Sequence, residues 1–131
     1  MITTISFKIT EIGWLKPDPR NSRTHPKKQI NFIAASIDES GFVNPILANP
    51  VGVVIAGHGR LLAAKQLGLT EVPVITITGL TEAQERRLRI ADNKIALHAG
   101  WDLDLLRSEL NFIEGSGLDL ALTGFSVGEI D

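Results

Sequence analysis

The chain has 131 residues, 44% hydrophobic and 21% charged, with a net charge of −2 and no cysteine. That is enough chain for one folded domain with a core, and it excludes disulfides, thiolate metal sites and thiol catalysis. No apolar run reaches the roughly 18 residues that span a bilayer. Residues 1–100 carry 12 Lys/Arg against 8 Asp/Glu, whereas residues 101–131 carry Arg107 against seven acids. A basic body with an acidic tail lets a polyanion bind one face, although two solvated surfaces give the same count.

Ile5-Ser6-Phe7-Lys8-Ile9 alternates apolar and polar residues and predicts a half-buried strand. Residues 16–25 hold two prolines and no apolar residue, so they form a loop. Pro26 suits the first position of a helix, with Ile30, Ile33, Ala34 and Ile37 on one face and Gly41 as the stop. Two short apolar runs, Ile46–Ala48 and Val53–Ala56, flank Asn49-Pro50-Val51-Gly52 and predict a hairpin. Leu61, Ala64 and Leu67 then recur at helical spacing before Gly68, and Val72–Ile77 is a β-branched strand. Thr81-Glu82-Ala83-Gln84 is a capping box opening a helix to about Leu97, with Leu88, Ala91 and Ile95 inward. Asp102 can cap a last helix with a Leu103, Leu106, Leu110, Ile113 stripe. The order β-α-β-β-α-β-α-α predicts a compact α/β domain with a mixed sheet and two C-terminal helices. It occupies residues 1–114; residues 115–131 form a flexible acidic tail or the start of a linker.

The sharpest chemical signal is Ala56-Gly57-His58-Gly59-Arg60, between a buried strand and a helix. Glycines admit positive φ and close approach to the backbone. The free N–H groups of a first helical turn favour an anion. Arg60 offers a fork for two phosphate oxygens, and His58 can donate a hydrogen bond or move a proton. A tight strand–helix connection with a surface arginine uses the same residues. The Gly-Lys-Ser/Thr ending of a Walker loop is missing. A second candidate is Asn21 with Arg23, in a loop region where Arg20, Lys27, Lys28 and His25 also cluster. A third is Asp92-Asn93-Lys94, where a carboxylate beside an amide can hold hydrated Mg²⁺. Arg86, Arg87 and Arg89 precede it and can contact a DNA backbone or pair with Glu82 and Glu85.

Taken together, Asn21–Arg23, Gly41–Leu47, Ile55–Ala64, Leu67–Val74 and Ile90–Lys94 resemble the N-terminal domain of ParB-like proteins, in the ParB/sulfiredoxin superfamily. Ala91–Lys94, Gly100-Trp101-Asp102 and Leu122–Phe125 are similar to a narrower group, the ParB-like (ParB-like nuclease) domains at the front of phage and prophage DNA methyltransferases. The resemblance implies phosphate binding at Gly57, His58, Gly59, Arg60, Asn21 and Arg23. It also implies Mg²⁺ at Asp92 and Asn93, and CTP or ATP as the nucleotide. In the partition proteins a Gly-Glu-Arg-Arg box holds the triphosphate of CTP; here His58 and Gly59 replace its central pair, so efficient hydrolysis is not implied. Sulfiredoxin chemistry needs a cysteine and is excluded. Implied partners are DNA, a nucleotide, a methyltransferase domain in the same or a neighbouring chain, and a second copy of the chain. The chain itself has no methyltransferase motif. A nuclease with His58 as general base and Asp92 as metal ligand is the enzymatic alternative. A recruiting module using the last helix and acidic tail is the non-catalytic one. Without a signal peptide at its start, the protein is expected in the cytoplasm.

Overall fold

The computed structural model describes residues 4–125 apart from Ser22, so residues 126–131 of the predicted tail lie outside the described residues. The elements are β1 (Thr4–Glu11), α1 (Lys27–Ser40), β2 (Ile46–Ala48), β3 (Val54–Ala56), α2 (His58–Gln66), β4 (Glu71–Thr78), α3 (Glu82–Ala96) and α4 (Leu103–Gly115). Short 3-10 turns follow β1 and α4. This is the predicted order. The chain falls into two compact units, residues 1–96 and 97–131.

In the first unit the sheet runs β1-β4-β2-β3. β2 and β3 form the predicted antiparallel hairpin, β2 lies parallel to β4, and β1 lies antiparallel to β4. Ile46, Ala48, Val54, Val72 and Val74 supply the sheet's share of the core, and Leu61 and Ala64 of α2 pack against it. β-branched residues suit such a pleated, covered surface. Helix α1 packs along α2 through a face on which Ala34 is buried and Ile30, Ile33 and Ile37 are half-buried. Pro26 stands at the N-cap of α1, so the helix starts one residue later than predicted, at Lys27.

Two predictions need correction. β1 is not half-buried: Ile5, Phe7 and Ile9 are 64%, 61% and 51% exposed. Alternation marks an apolar face but not whether anything covers it, and β1 is an edge strand whose sheet neighbour is β4 alone. The inward face of α3 is also not apolar. Ile95 is 64% exposed, Leu88 and Ala91 are half-buried, and the buried residue is Arg89. The capping box does form: Thr81 N–H donates to Gln84 Oε1 at 2.8 Å, and Gln84 N–H donates to Thr81 Oγ1 at 3.2 Å.

In the second unit Asp102 caps α4, accepting from the N–H groups of Asp104 and Leu105, each at 3.1 Å. Leu110 is buried and Leu106 and Ile113 half-buried, whereas Leu103, placed in the same stripe by its spacing, is exposed. The Trp101 and Phe125 rings meet at a tilt of 60° with centroids 5.2 Å apart. No helix among the described residues is long and apolar enough to cross a membrane.

Candidate phosphate-binding site

The first unit brings the three predicted stretches to one place. A cavity of about 130 Å³ is lined by Asn21 and Arg23 from the polar loop and by Gly57, His58, Gly59 and Arg60 from the start of α2. Asp92 and Asn93 from α3 complete it. His25, Gln29 and Ile33, which the sequence did not single out as site residues, also line it.

The backbone explains the glycines. Gly57 is the N-cap of α2 with φ of 100°, a left-handed conformation that suits glycine. A Cβ there would lie 3.1 Å from Arg60 Nη2 and 3.3 Å from Ile46 Cα. At Gly59 a Cβ would lie 3.0 Å from Ile33 Cδ1 and 3.2 Å from His25 Nδ1, so this glycine lets α1 and its loop close onto α2. No side chain caps α2. The first N–H groups of a helix have no partner within it, so this end faces the cavity with free donors.

Arg60 is held against the turn. Its Nη2 donates to the Pro45 carbonyl at 3.1 Å, while its Nε is buried without a partner. Burial lowers its pKa from the usual arginine value, and Asp92 opposes the shift. The guanidinium stays charged, and of its five N–H donors the buried Nε–H is without a partner. Asn21 Oδ1 accepts from Arg23 N–H at 3.3 Å, which folds the loop over the cavity. Asn93 Nδ2 donates to the Arg89 carbonyl at 3.0 Å. Its amide oxygen, with the Asp92 carboxylate, therefore makes two oxygen ligands available. That set fits Mg²⁺, which takes one or two protein oxygens and completes its shell with water and phosphate.

Behind the turn lies a charged support that the sequence did not reveal. Arg89 Nη2 meets Asp18 Oδ2 at 2.6 Å, with side chains only 5% and 7% exposed. Asp18 N–H donates to His58 Nε2 at 3.3 Å. The Asp18 Oδ1 accepts from Arg20 N–H at 2.8 Å, fixing the Pro-Asp-Pro turn. Arg89 therefore cannot contact a DNA backbone, and that assignment is corrected. His58 is likewise corrected as a general base. Its Nε2 lone pair is already engaged, and burial, Arg89 and His25 pull its pKa down to about 4 against a small opposing effect of Asp18. The ring is neutral at pH 7 with its hydrogen on Nδ1.

The other basic candidates are on the surface. Arg20 and Arg86 share Glu82 Oε1 at 3.1 and 2.6 Å, and all three side chains are largely exposed. Lys27 Nζ donates to Gln66 Oε1 at 2.6 Å, Lys28 lies over the Phe32 ring, and Arg87 is exposed. A larger groove of about 570 Å³ runs past Lys16, Asp18, Arg20, Glu82, Arg86 and Arg89. Its charges are mostly spent on one another, so it presents little net field to a ligand. A smaller cavity of about 190 Å³ shares Ile33 and Arg60 with the phosphate cavity and is otherwise lined by the end of α1 and by Gly41–Asn44.

Residues 3–94 match the ParB N-terminal domain family. The chain belongs to that family. It is 44% identical over 73 residues to the ParB-like nuclease domain-containing protein YnaK of Escherichia coli K12, covering 56% of this chain and 84% of YnaK. It is 33% identical over 128 residues to the probable plasmid-partitioning protein ParB of Deinococcus radiodurans, covering 95% of this chain but 39% of that one. The fold matches the C-terminally truncated chromosome-partitioning protein ParB of Caulobacter crescentus, crystallised with CTP-gamma-S. The TM-score there is 0.76 at 23% identity, over 95% of this chain and 74% of the other. The same Caulobacter protein bound to the centromeric parS site matches with a TM-score of 0.57 at 20% identity, over 94% and 67%.

Proposed function

We propose that this ParB-like domain binds a nucleoside triphosphate, CTP or ATP, with its phosphates at the Gly57–Arg60 turn. The observation that carries this is the convergence of three distant stretches, Asn21–Arg23, Gly57–Arg60 and Asp92–Asn93, on one cavity at an uncapped helix start. The cavity's 130 Å³ suits phosphate groups rather than a whole nucleotide, and the adjoining one offers room for a base. Mg²⁺ would sit at Asp92 and Asn93 and bridge to the phosphates. The CTP-gamma-S complex of the Caulobacter protein favours a triphosphate over a single phosphate. Its parS complex supports DNA as the further partner. Here Arg20, Lys27, Lys28, Arg86 and Arg87 provide the surface charge for a DNA backbone. Such work belongs in the cytoplasm, with a second copy of the chain as partner.

In a thermal-shift experiment, millimolar CTP or ATP with Mg²⁺ raises the melting temperature, and Arg60→Ala abolishes the rise. No shift with any of the four triphosphates contradicts the proposal. Nuclease chemistry is disfavoured. Asp92 is the sole carboxylate lining the cavity, and the described residues hold no group of three or more His, Asp or Glu for a metal. Supercoiled plasmid should stay intact with Mg²⁺ or Mn²⁺. Service beside a DNA methyltransferase rests on the motif resemblance, and exposed Leu103, Leu105 and Phe112 on α4 give a recruiting surface something to bind with.

A further inference from the structure

We propose that β1 is a self-pairing edge: two copies of the chain join antiparallel through residues 4–10, about a two-fold axis at Phe7, into one continuous sheet. This surface is separate from the phosphate site, and it gives the second copy named above a place to bind.

β1 is eight residues long, contains no proline and pairs with β4 in one unbroken register. Folded proteins blunt such edges with short strands, prolines, bulges or charges, because unpaired N–H and C=O groups invite another strand. The sheet's other edge is protected in that way. β3 has three residues, all buried, and Lys16 bridges to Val53 beside it. β1 has Lys8 as its one charge before Glu11, and residues 4–9 are all exposed. Its apolar side also turns away from the core. Ser6, Lys8 and Thr10 lie opposite Thr76, Val74 and Val72, and those two valines belong to the core. Side chains directly opposite one another share a face. Ile5, Phe7 and Ile9 therefore occupy the other face, where Phe7 sits beside half-buried Ile75.

The sequence of the strand selects its own copy as the occupant. Thr4-Ile5-Ser6-Phe7-Lys8-Ile9-Thr10 reads alike in both directions, except that Ser6 exchanges with Lys8. A two-fold interface must be self-complementary, and this strand is. Pairing about Phe7 sets Phe7 against Phe7, Ile5 against Ile9 and Thr4 against Thr10, with the apolar side chains of both copies on one face. Lys8 meets Ser6 of the second copy rather than a second lysine. Moving the axis to Lys8 opposes the two lysines directly, and moving it to Ser6 or Ile9 leaves only five residues of each strand paired. Successive residues aim their N–H and C=O groups at alternate edges, and about Phe7 the outward-pointing set maps onto itself, so the ladder can form. The pairing uses up β1 in both copies, so assembly stops at two.

The test is sedimentation equilibrium of the 131-residue chain without nucleotide, from low micromolar to near-millimolar concentration. The apparent mass should rise with concentration from 14.2 kDa towards twice that value. Phe7→Lys, which sets two lysines on the axis, should keep the chain monomeric throughout. The register is read at Ser6, an exposed residue whose substitution leaves the core untouched. Ser6→Glu places a carboxylate against each Lys8 and should tighten the dimer about fivefold, whereas Ser6→Lys opposes lysines and should weaken it by a similar factor. A wild type that stays monomeric at near-millimolar concentration overturns the inference. So does association that continues beyond two copies. A dimer that responds neither to Phe7→Lys nor to the two Ser6 variants forms through another surface, and also overturns it. None of these outcomes bears on the phosphate cavity, which β1 does not line.

Discussion

Replacing Arg89 by methionine should be among the most damaging single changes available outside the apolar core. The Arg89–Asp18 pair is 2.6 Å long with both side chains more than nine-tenths buried. Removing the guanidinium strands a carboxylate inside the protein, and breaking such a pair costs about 3–5 kcal/mol. The loss propagates, because Asp18 also donates its N–H to His58 at the head of α2. With an m-value near 1.5 kcal/mol/M, the urea midpoint should fall by roughly 2–3 M. The exposed Arg86–Glu82 pair is the internal control. Glu82→Gln should cost less than about 1 kcal/mol, because solvent screens both charges. In the double variant Asp18→Asn/Arg89→Met the stranded charge is gone, so much of the loss should return. A loss below about 1 kcal/mol in Arg89→Met, or no recovery in the double variant, would refute the idea that this pair underpins the turn.

Other consequences follow from the same geometry. Gly57→Ala forces a side chain to φ of 100° and into Arg60 Nη2; it should destabilise by about 1–3 kcal/mol in denaturant melts and weaken triphosphate binding. The pH dependence of stability should carry the signature of His58. Its folded pKa, about 4, lies below the usual 6.5, so between those values the unfolded chain holds a proton that the folded one refuses. Stability is therefore full above pH 6.5, falls as pH drops towards 4 by an amount on the order of 3 kcal/mol, and levels off below. In a His58→Asn variant that window should flatten, as read by urea midpoints at pH 7.5 and 4.5. Arg20→Ala and Arg87→Ala should leave stability within about 0.5 kcal/mol and weaken DNA binding in low salt, measured by fluorescence anisotropy.

Much of the fold was legible because local signals agreed with one another. Thr81 and Gln84 form the reciprocal cap their spacing predicts, Asp102 caps α4, and the two apolar runs around Asn49-Pro50 pair as a hairpin. Gly57 could be read from sequence because a glycine where a strand feeds directly into a helix admits a left-handed conformation, and Gly57 adopts it. Arg89 could not. An arginine just after Arg86 and Arg87 reads as surface, and its burial depends on Asp18, which sits far away in the chain inside a loop of prolines. His58 was misjudged for the same reason: its ring nitrogen is engaged by that distant loop. Ile5, Phe7 and Ile9 erred the other way, since alternation records an apolar face but not its exposure.

The measurement that bears most directly on the central claim is an amide NMR titration of the labelled chain with CTP and Mg²⁺. Saturable shifts should concentrate at His58, Gly59 and Arg60, with Asn21, Arg23, His25, Asp92 and Asn93 around them, and should vanish in Arg60→Ala. Shifts centred instead on Lys16, Arg20 and Arg86, or none at millimolar nucleotide, would contradict a phosphate site at the start of α2.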